Sequence, residues 1–142
     1  MSTKNVVLIS IVAALYAVLT VALAPISYGA IQFRISEILK IFVLFNPMLA
    51  IGIGIGTFIG NMASPFAGPW DLIWMPLTDM AGGVLAWFIF RMLREKWAAI
   101  PMAVYALTTG AAVAVMLKFF GVGGFWFLFA TISASELIVL VA

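Results

Sequence analysis

The segment Asn5–Ala24 reads NVVLISIVAALYAVLTVALA and carries no charged residue. A helix needs about 20 apolar residues to cross the hydrocarbon core of a bilayer, and this segment meets that requirement. Pro25 follows directly and predicts the end of the helix, because proline lacks the backbone N–H that a continuing helix needs. Lys4 and the small residues before Pro25 resemble a signal peptide. The length of the segment and the apolar segments after it favour a retained transmembrane helix.

The rest of the chain is equally apolar. Of its 142 residues, 66% are hydrophobic and 8% are charged, whereas a soluble domain carries about a quarter charged residues. So few charges cannot cover a surface that faces water, so we expect an integral protein of the cell membrane. The chain has no cysteine and no histidine, and we expect neither an enzyme nor a metal or cofactor site. Its few basic residues form no stripe for binding nucleic acid.

Proline and glycine residues divide the chain after Pro25 into further helices. The predicted helices are Gln32–Phe45, Met48–Met62, Trp70–Leu93, Ala98–Phe119 and Phe125–Ala142. We therefore predict an all-α membrane bundle of about six transmembrane helices, with residues 1–142 as one domain. No basic residue follows the last helix, which is compatible with a natural chain that continues beyond Ala142.

The basic residues predict the orientation in the membrane. Lys4 and the three basic residues of the loop 91–96 fall on the same side of an even number of spans, and this side is predicted to be cytoplasmic. Arg34 and Lys118 fall on the other side and are outnumbered. Both termini are then expected in the cytoplasm.

Two rows of small residues predict close helix packing. Gly52, Gly56 and Gly60 are spaced four apart on the third helix, and we expect them to pack inside the bundle. Ala13 and Ala17 have the same spacing on the first helix. That spacing is compatible with packing inside the bundle and with docking to another membrane subunit.

Polar residues within the spans are the candidates for function, because a charge inside the bilayer is costly and needs a partner or a cavity. With the predicted orientation most of them fall in the outer half of the membrane, on four helices, which favours a single polar cavity open to the outside. These residues are Arg34, Glu37, Lys40, Asn61, Asp71, Asp79 and Glu136. We expect Lys40 to neutralise Asp79 or Glu136 rather than to contact a ligand.

One face of the fourth helix offers several groups to a flat ligand. Asp71, Trp74 and Thr78 are spaced three and four apart and share this face. Pro76 is expected to free the backbone carbonyl of Leu72. A heteroaromatic ligand with N–H donors would use the carboxylate, the indole, the hydroxyl and the carbonyl. The alternative is a tryptophan at the membrane interface with Asp71 at a helix N-terminus.

Two stretches carry a family resemblance. Residues 28–37 read YGAIQFRISE, and residues 60–66 read GNMASPF, with Asp71 shortly after. Both resemble the QueT-type family of proposed queuosine-precursor transporters, which are S-components of energy-coupling factor (ECF) transporters. The resemblance implies that the chain captures a small molecule outside the cell. It also implies docking through Ala13 and Ala17 to a transmembrane coupling subunit, with two ATPase subunits that supply energy. Lys40 departs from the pattern, in which Ala-Leu-Thr is expected at 38–40.

The resemblance implies that the substrate is a deazaguanine precursor of queuosine. The predicted ligand-binding residues are Gln32, Arg34, Glu37, Asn61, Asp71, Trp74, Thr78, Asp79 and Glu136. Glu37 is the first candidate to accept the two adjacent N–H donors of the ring. Trp74 is expected to stack on the ring, and Asn61 or Gln32 to bind its carbonyl group. Arg34 and Glu37 are also compatible with a structural ion pair.

Three alternatives stay open at this point. The chain could bind another vitamin-like molecule as an S-component. It could be a small structural or assembly subunit of a membrane complex, with its charges paired internally. It could also be a proton-coupled carrier that works alone and uses Asp79 and Glu136 as a relay.

Overall fold

The computed structural model describes residues 2–23, 34–64, 68–119, 121 and 124–141, and most of these residues are helical. The helices are α1 (Thr3–Ala22), α2 (Ile35–Leu44), α3 (Leu49–Asn61), α4 (Met75–Met92), α5 (Ala99–Phe119) and α6 (Phe125–Val141). Among the described residues, three helical segments are long and apolar enough to cross a membrane: Thr3–Ala22, Leu72–Met92 and Ala99–Met116. The helices α3 and α6 are shorter and also apolar. These helices confirm the predicted all-α membrane bundle.

The helix α2 lies in the middle of the bundle. It contacts α1, α3, α4 and α6, while consecutive helices from α3 to α6 pack against each other and α1 packs against α3. It is wound as a 3₁₀ helix over its whole length, although runs of this helix are usually short. Three residues per turn place Arg34, Glu37, Lys40 and Val43 in one row, because side chains three apart eclipse one another in a 3₁₀ helix. This row is buried, so α2 carries charged side chains into the centre of the molecule.

The predicted packing of the α3 glycines inside the bundle is confirmed. A Cβ atom at Gly52 would lie 2.8 Å from the carbonyl oxygen of Ile9, and one at Gly56 would lie 2.7 Å from Cβ of Tyr16. Gly60 also faces α1. The two helices approach so closely that a larger residue at Gly52 or Gly56 would force them apart.

The fourth helix begins with a wider turn. Residues Trp70–Trp74 form a π-helical turn that leads directly into α4, and Pro76 lies in the first turn of α4. Proline has no N–H to donate within a helix, and a π-helical turn is one way in which a helix adjusts its hydrogen bonding. The predicted start of this helix near Trp70 is therefore confirmed.

Candidate functional site

A fully buried lysine lies at the centre of the bundle. Nζ of Lys40 is 3.0 Å from Oδ1 of Asp79 and 3.9 Å from Oε2 of Glu136, and it also forms an ion pair with Glu37. The same ammonium group donates a hydrogen bond to Oγ1 of Thr109 at 3.0 Å. Burial of a charge is tolerated when it is paired and hydrogen-bonded. The predicted pairing of Lys40 with Asp79 or Glu136 is confirmed, with Asp79 as the closer partner.

Arg34 begins the same row of α2 side chains and is also buried. It interacts electrostatically with Glu37 and with Tyr16. We call the charged residues brought together here the charge cluster, which consists of Arg34, Glu37, Lys40, Asp79 and Glu136. Three helices supply its members, so the cluster forms only when the bundle is folded.

Hydroxyl groups from the surrounding helices hold the carboxylates in place. Tyr16 on α1 donates a hydrogen bond to Glu37. Thr57 on α3 donates to Oδ2 of Asp79 at 2.5 Å, and Tyr105 on α5 donates to the backbone carbonyl oxygen of Asp79 at 2.5 Å. The Tyr105 ring also lies 4.5 Å from the central ammonium group, within the range of a cation–π interaction. The hydrogen bonds from Tyr16 and Thr57 reach carboxylate oxygens and hold these groups in position.

Sequence reasoning missed four of these groups: Tyr16, Thr57, Tyr105 and Thr109. Each lies in a mainly apolar stretch of helix. A signal was present, because three buried carboxylates and a buried lysine need more hydrogen-bond partners than they can give one another. The spacing of the residues along the chain does not indicate which hydroxyl groups meet this need.

Two predicted ligand residues at the start of the fourth helix lie outside the charge cluster. Trp74 and Thr78 share a face, as predicted, and line a cavity of about 560 Å³ between α4 and α5. Nε1 of Trp74 donates to the carbonyl oxygen of Ala112 at 3.4 Å, and Thr78 donates to the carbonyl oxygen of Trp74. We call this cavity the lateral groove. Its other lining residues are mostly small or apolar: Leu77, Ala81, Gly82, Leu85, Thr108, Ala111, Ala112 and Val115.

Two neighbours on α4 that the sequence assigns to ligand binding lie in different surroundings, and the single polar cavity stays a prediction. Asp79 is buried in the charge cluster, whereas the adjacent Thr78 lines the lateral groove. Tyr105 lies between these two places, because its ring would be 3.0 Å from a Cβ at Gly82 in the groove wall and its hydroxyl group bonds Asp79. The buried lysine pairs directly with the carboxylates of Glu37, Asp79 and Glu136.

Of the remaining predicted ligand residues, the structure describes the side chain of Asn61 but not those of Gln32 and Asp71. Asn61 is buried at the end of α3, one turn after Thr57. Gln32 and the side chain of Asp71 lie outside the residues that the structure describes. The roles of all the predicted residues in ligand binding stay predictions.

The predicted docking residues of α1 are buried within this chain. Ala13 and Ala17 are 5% and 6% exposed. The backbone carbonyl oxygen of Ala13 would lie 3.0 Å from a Cβ at Gly56, so this part of α1 packs on α3. Ser10 and Ala14 face outward from the same helix. Docking of α1 to another subunit stays a prediction.

Comparison with known proteins places the chain in a family. The family model of the QueT transporter matches residues 6–142. A protein named queuosine precursor transporter QueT, from Lactococcus lactis subsp. cremoris (strain MG1363), is 48% identical over 64 residues, which are 44% of this chain and 38% of that protein. The match thus spans less than half of that relative's length. No solved structure matches the chain. Because the family model covers nearly the whole of this multi-pass membrane protein, the chain belongs to the QueT transporter family.

Proposed function

We propose that this chain is the substrate-binding S-component of an ECF-type importer and that its substrate is a deazaguanine precursor of queuosine. The observation that carries the proposal is the family match over residues 6–142. The name of the Lactococcus lactis relative supports the choice of substrate. The sequence has no Walker motif for binding ATP, and in this proposal partner ATPase subunits supply the energy for uptake.

The charge cluster is the proposed place for the polar edge of the ligand. A deazaguanine presents two adjacent N–H donors, and an ionised carboxylate accepts both. Glu37 remains the first candidate, but its carboxylate already contacts Tyr16 and Lys40, so the ligand has to replace one of these partners. Because Tyr105 lies between the lateral groove and the charge cluster, one ligand contacts both Trp74 and Glu37 only if the Tyr105 ring moves.

The first helix is the proposed docking surface for the coupling subunit. One side of α1 faces α3, and the other side exposes apolar residues, among them Ile11, Leu15 and Val18. The small residues Ser10 and Ala14 on the exposed side would let a partner helix approach closely. Ala13 and Ala17 are buried on the other side of α1, and the backbone of Ala13 lies close to Gly56 of α3.

Uptake of a radiolabelled deazaguanine by cells that lack their own uptake system tests the proposal. We expect uptake only when the chain is expressed together with a coupling subunit and two ATPase subunits. Cells with those subunits but without the chain are the control. Equal uptake by the control cells would contradict the proposal.

A second candidate function is a proton-coupled carrier that works alone, which the convergence of Asp79 and Glu136 on Lys40 favours. Uptake that persists without the ATPase subunits and stops when an uncoupler removes the proton gradient would establish this candidate and exclude the first.

A further inference from the structure

A mostly apolar row of side chains runs along the fourth helix from the lateral groove to the end of α4. Its members are spaced four and three residues apart, so they lie on one face of the helix: Trp74, Thr78, Ala81, Leu85, Phe88 and Met92. Beside the lateral groove, a second and more open cavity of about 550 Å³ is lined by Met80, Ala81, Val84, Leu85 and Phe88. The two cavities share Ala81 and Leu85. The apolar surface therefore continues from the groove towards Met92, which is 70% exposed.

The polar side chains of the lateral groove use their hydrogen atoms within this chain. Trp74 and Thr78 both donate to backbone carbonyl oxygens. Oγ1 of Thr108 donates to the carbonyl oxygen of Val104 at 2.8 Å. The other residues that line the groove are apolar. An occupant of the groove thus contacts hydrocarbon, and in a helix that spans a membrane the molecule with this chemistry is the acyl chain of a lipid.

A basic loop lies at the other end of the row. The loop that follows α4 contains Arg94, Glu95 and Lys96. Glu95 pairs with Arg91 at 2.7 Å, and its backbone N–H donates to the carbonyl oxygen of Phe90, so the loop folds back on the last turn of α4. Arg94 and Lys96 are exposed, and neither has an acidic partner in the described part of the chain. The loop therefore presents two positive charges to an anion.

The place of this loop suits the headgroup region of the membrane. Trp97 follows it and is exposed, and tryptophan is typical of membrane–water interfaces. The loop lies on the side predicted to be cytoplasmic, where anionic lipid headgroups attract basic residues. From Met92 back to Ala81, α4 rises by about 16 Å, which is close to half of the roughly 30 Å hydrocarbon core. An acyl chain with its headgroup at the loop covers Phe88 and Leu85 and ends near Ala81.

We propose that an anionic phospholipid binds along α4, with its phosphate group bound by Arg94 and Lys96 and one acyl chain over Phe88, Leu85 and Ala81. The basic loop attracts the headgroup, and the apolar row contacts the chain. Together they select an anionic lipid over a free anion and over a lipid without net charge. The site lies outside the charge cluster and is independent of the transported substrate.

The bound acyl chain also supports the contact between α4 and α5. Gly82 follows Ala81, and the Tyr105 ring of α5 packs beside Gly82. The hydroxyl group of Tyr105 donates to the backbone carbonyl oxygen of Asp79. A lipid that fills the groove beside Ala81 limits the separation of the two helices. We therefore expect added phosphatidylglycerol to raise the unfolding temperature of the purified chain, because a ligand that binds only the folded state stabilises it.

Native mass spectrometry of the purified chain in detergent tests the headgroup contact. The probes are phosphatidylglycerol, which is anionic, and phosphatidylcholine with the same acyl chains, which has no net charge. We expect one phosphatidylglycerol per chain, bound at least about tenfold more tightly than phosphatidylcholine. An excess of glycerol 3-phosphate, which has the phosphate group without the acyl chains, should not displace the lipid.

A double variant identifies the basic residues. Arg94→Gln combined with Lys96→Gln should reduce the affinity for phosphatidylglycerol to within about twofold of that for phosphatidylcholine. Lys4→Gln combined with Lys118→Gln is the matched control, since it removes two exposed positive charges elsewhere on the chain. This control should keep the preference for the anionic lipid.

The variant Ala81→Trp tests the groove. The indole ring takes the place of the acyl chain, so we expect the binding of both lipids to weaken at least about tenfold. Ala14→Trp is the control, because Ala14 is also an exposed alanine of a spanning helix and lies on α1. Circular dichroism checks that each variant is folded.

Equal affinity of the wild type for the two lipids, or an unchanged preference in the Arg94 and Lys96 double variant, would overturn the headgroup contact. Displacement by glycerol 3-phosphate, or unchanged lipid binding by Ala81→Trp, would overturn the acyl-chain contact. A dimer of the chain without bound lipid, which Ala81→Trp dissociates, would overturn the proposal and assign the groove to a second copy. Each of these results leaves the proposed function standing.

Discussion

The position of Lys40 decides how the polar residues of this chain are used. Its ammonium group contacts carboxylates from α2, α4 and α6, so one residue ties three helices together. Removal of one partner from a buried ion pair is much more harmful than its small net contribution suggests, because it leaves the other charge buried and uncompensated. The lysine is therefore a requirement of the folded bundle in addition to any effect that it has on ligand binding.

The variant Lys40→Met tests this role. Methionine keeps the length of the side chain and removes its charge, so we expect a loss of about 3–5 kcal/mol in the free energy of unfolding. Unfolding of the purified protein in detergent, followed by circular dichroism, measures the change. Lys118→Met is the control, because Lys118 is exposed near the end of α5. Equal stability of the two variants would contradict a structural role for Lys40.

At the scale of single residues, the sequence predicts which polar residues are candidates for function. It does not predict which of them lie next to one another. The sequence assigns both Asp79 and Thr78 to ligand binding, Asp79 from its depth in the membrane and Thr78 from the helix face that it shares with Trp74. Depth is one coordinate only, and the direction in which each side chain leaves the helix separates neighbours in the sequence. Lys40 and its acidic partners could be paired from the sequence because a buried charge needs an opposite charge. The hydroxyl groups of Tyr16 and Thr57 could not, because their neighbours belong to distant parts of the chain.

At the scale of single helices, the spacing of the charged residues along α2 agrees with its winding, which the apolar pattern does not indicate. Arg34, Glu37 and Lys40 are spaced by three residues, which matches the three residues per turn of the observed 3₁₀ helix. The sequence predicts a helix here, but over so short a segment the hydrophobic pattern does not separate 3₁₀ from α winding. The winding depends on the helices that surround α2 and place its charged row in the centre.

Variants on the exposed and buried sides of α1 are expected to affect docking and stability differently. We expect Ala14→Trp to prevent co-purification with the coupling subunit and to leave the stability of the chain unchanged, because Ala14 is exposed. Ala13→Trp should also lower stability by about 1–3 kcal/mol, since a large residue beside Gly56 overpacks the contact with α3. Co-purification and thermal unfolding of both variants separate these effects. Normal assembly of Ala14→Trp would exclude the exposed side of α1 as the docking surface.

At the scale of the whole molecule the fold class follows from composition, because only closed hydrogen-bonding structures such as helices are stable in the hydrocarbon core. The helix boundaries follow from prolines and glycines such as Pro25 and Pro47. The arrangement of the helices does not follow, because most of their surfaces are apolar and have no strong preferred face. Only the glycine row of α3 predicted an internal packing surface, and the central place of α2 needed the three-dimensional structure.

Native mass spectrometry of the intact chain tests most directly whether it is a receptor for a queuosine precursor. The protein would be purified in mild detergent from cells grown with and without added 7-aminomethyl-7-deazaguanine. We predict one bound deazaguanine per chain in the supplemented sample, released when the chain unfolds. A folded chain that carries no such ligand, even after incubation with an excess of this compound, would contradict the proposed function.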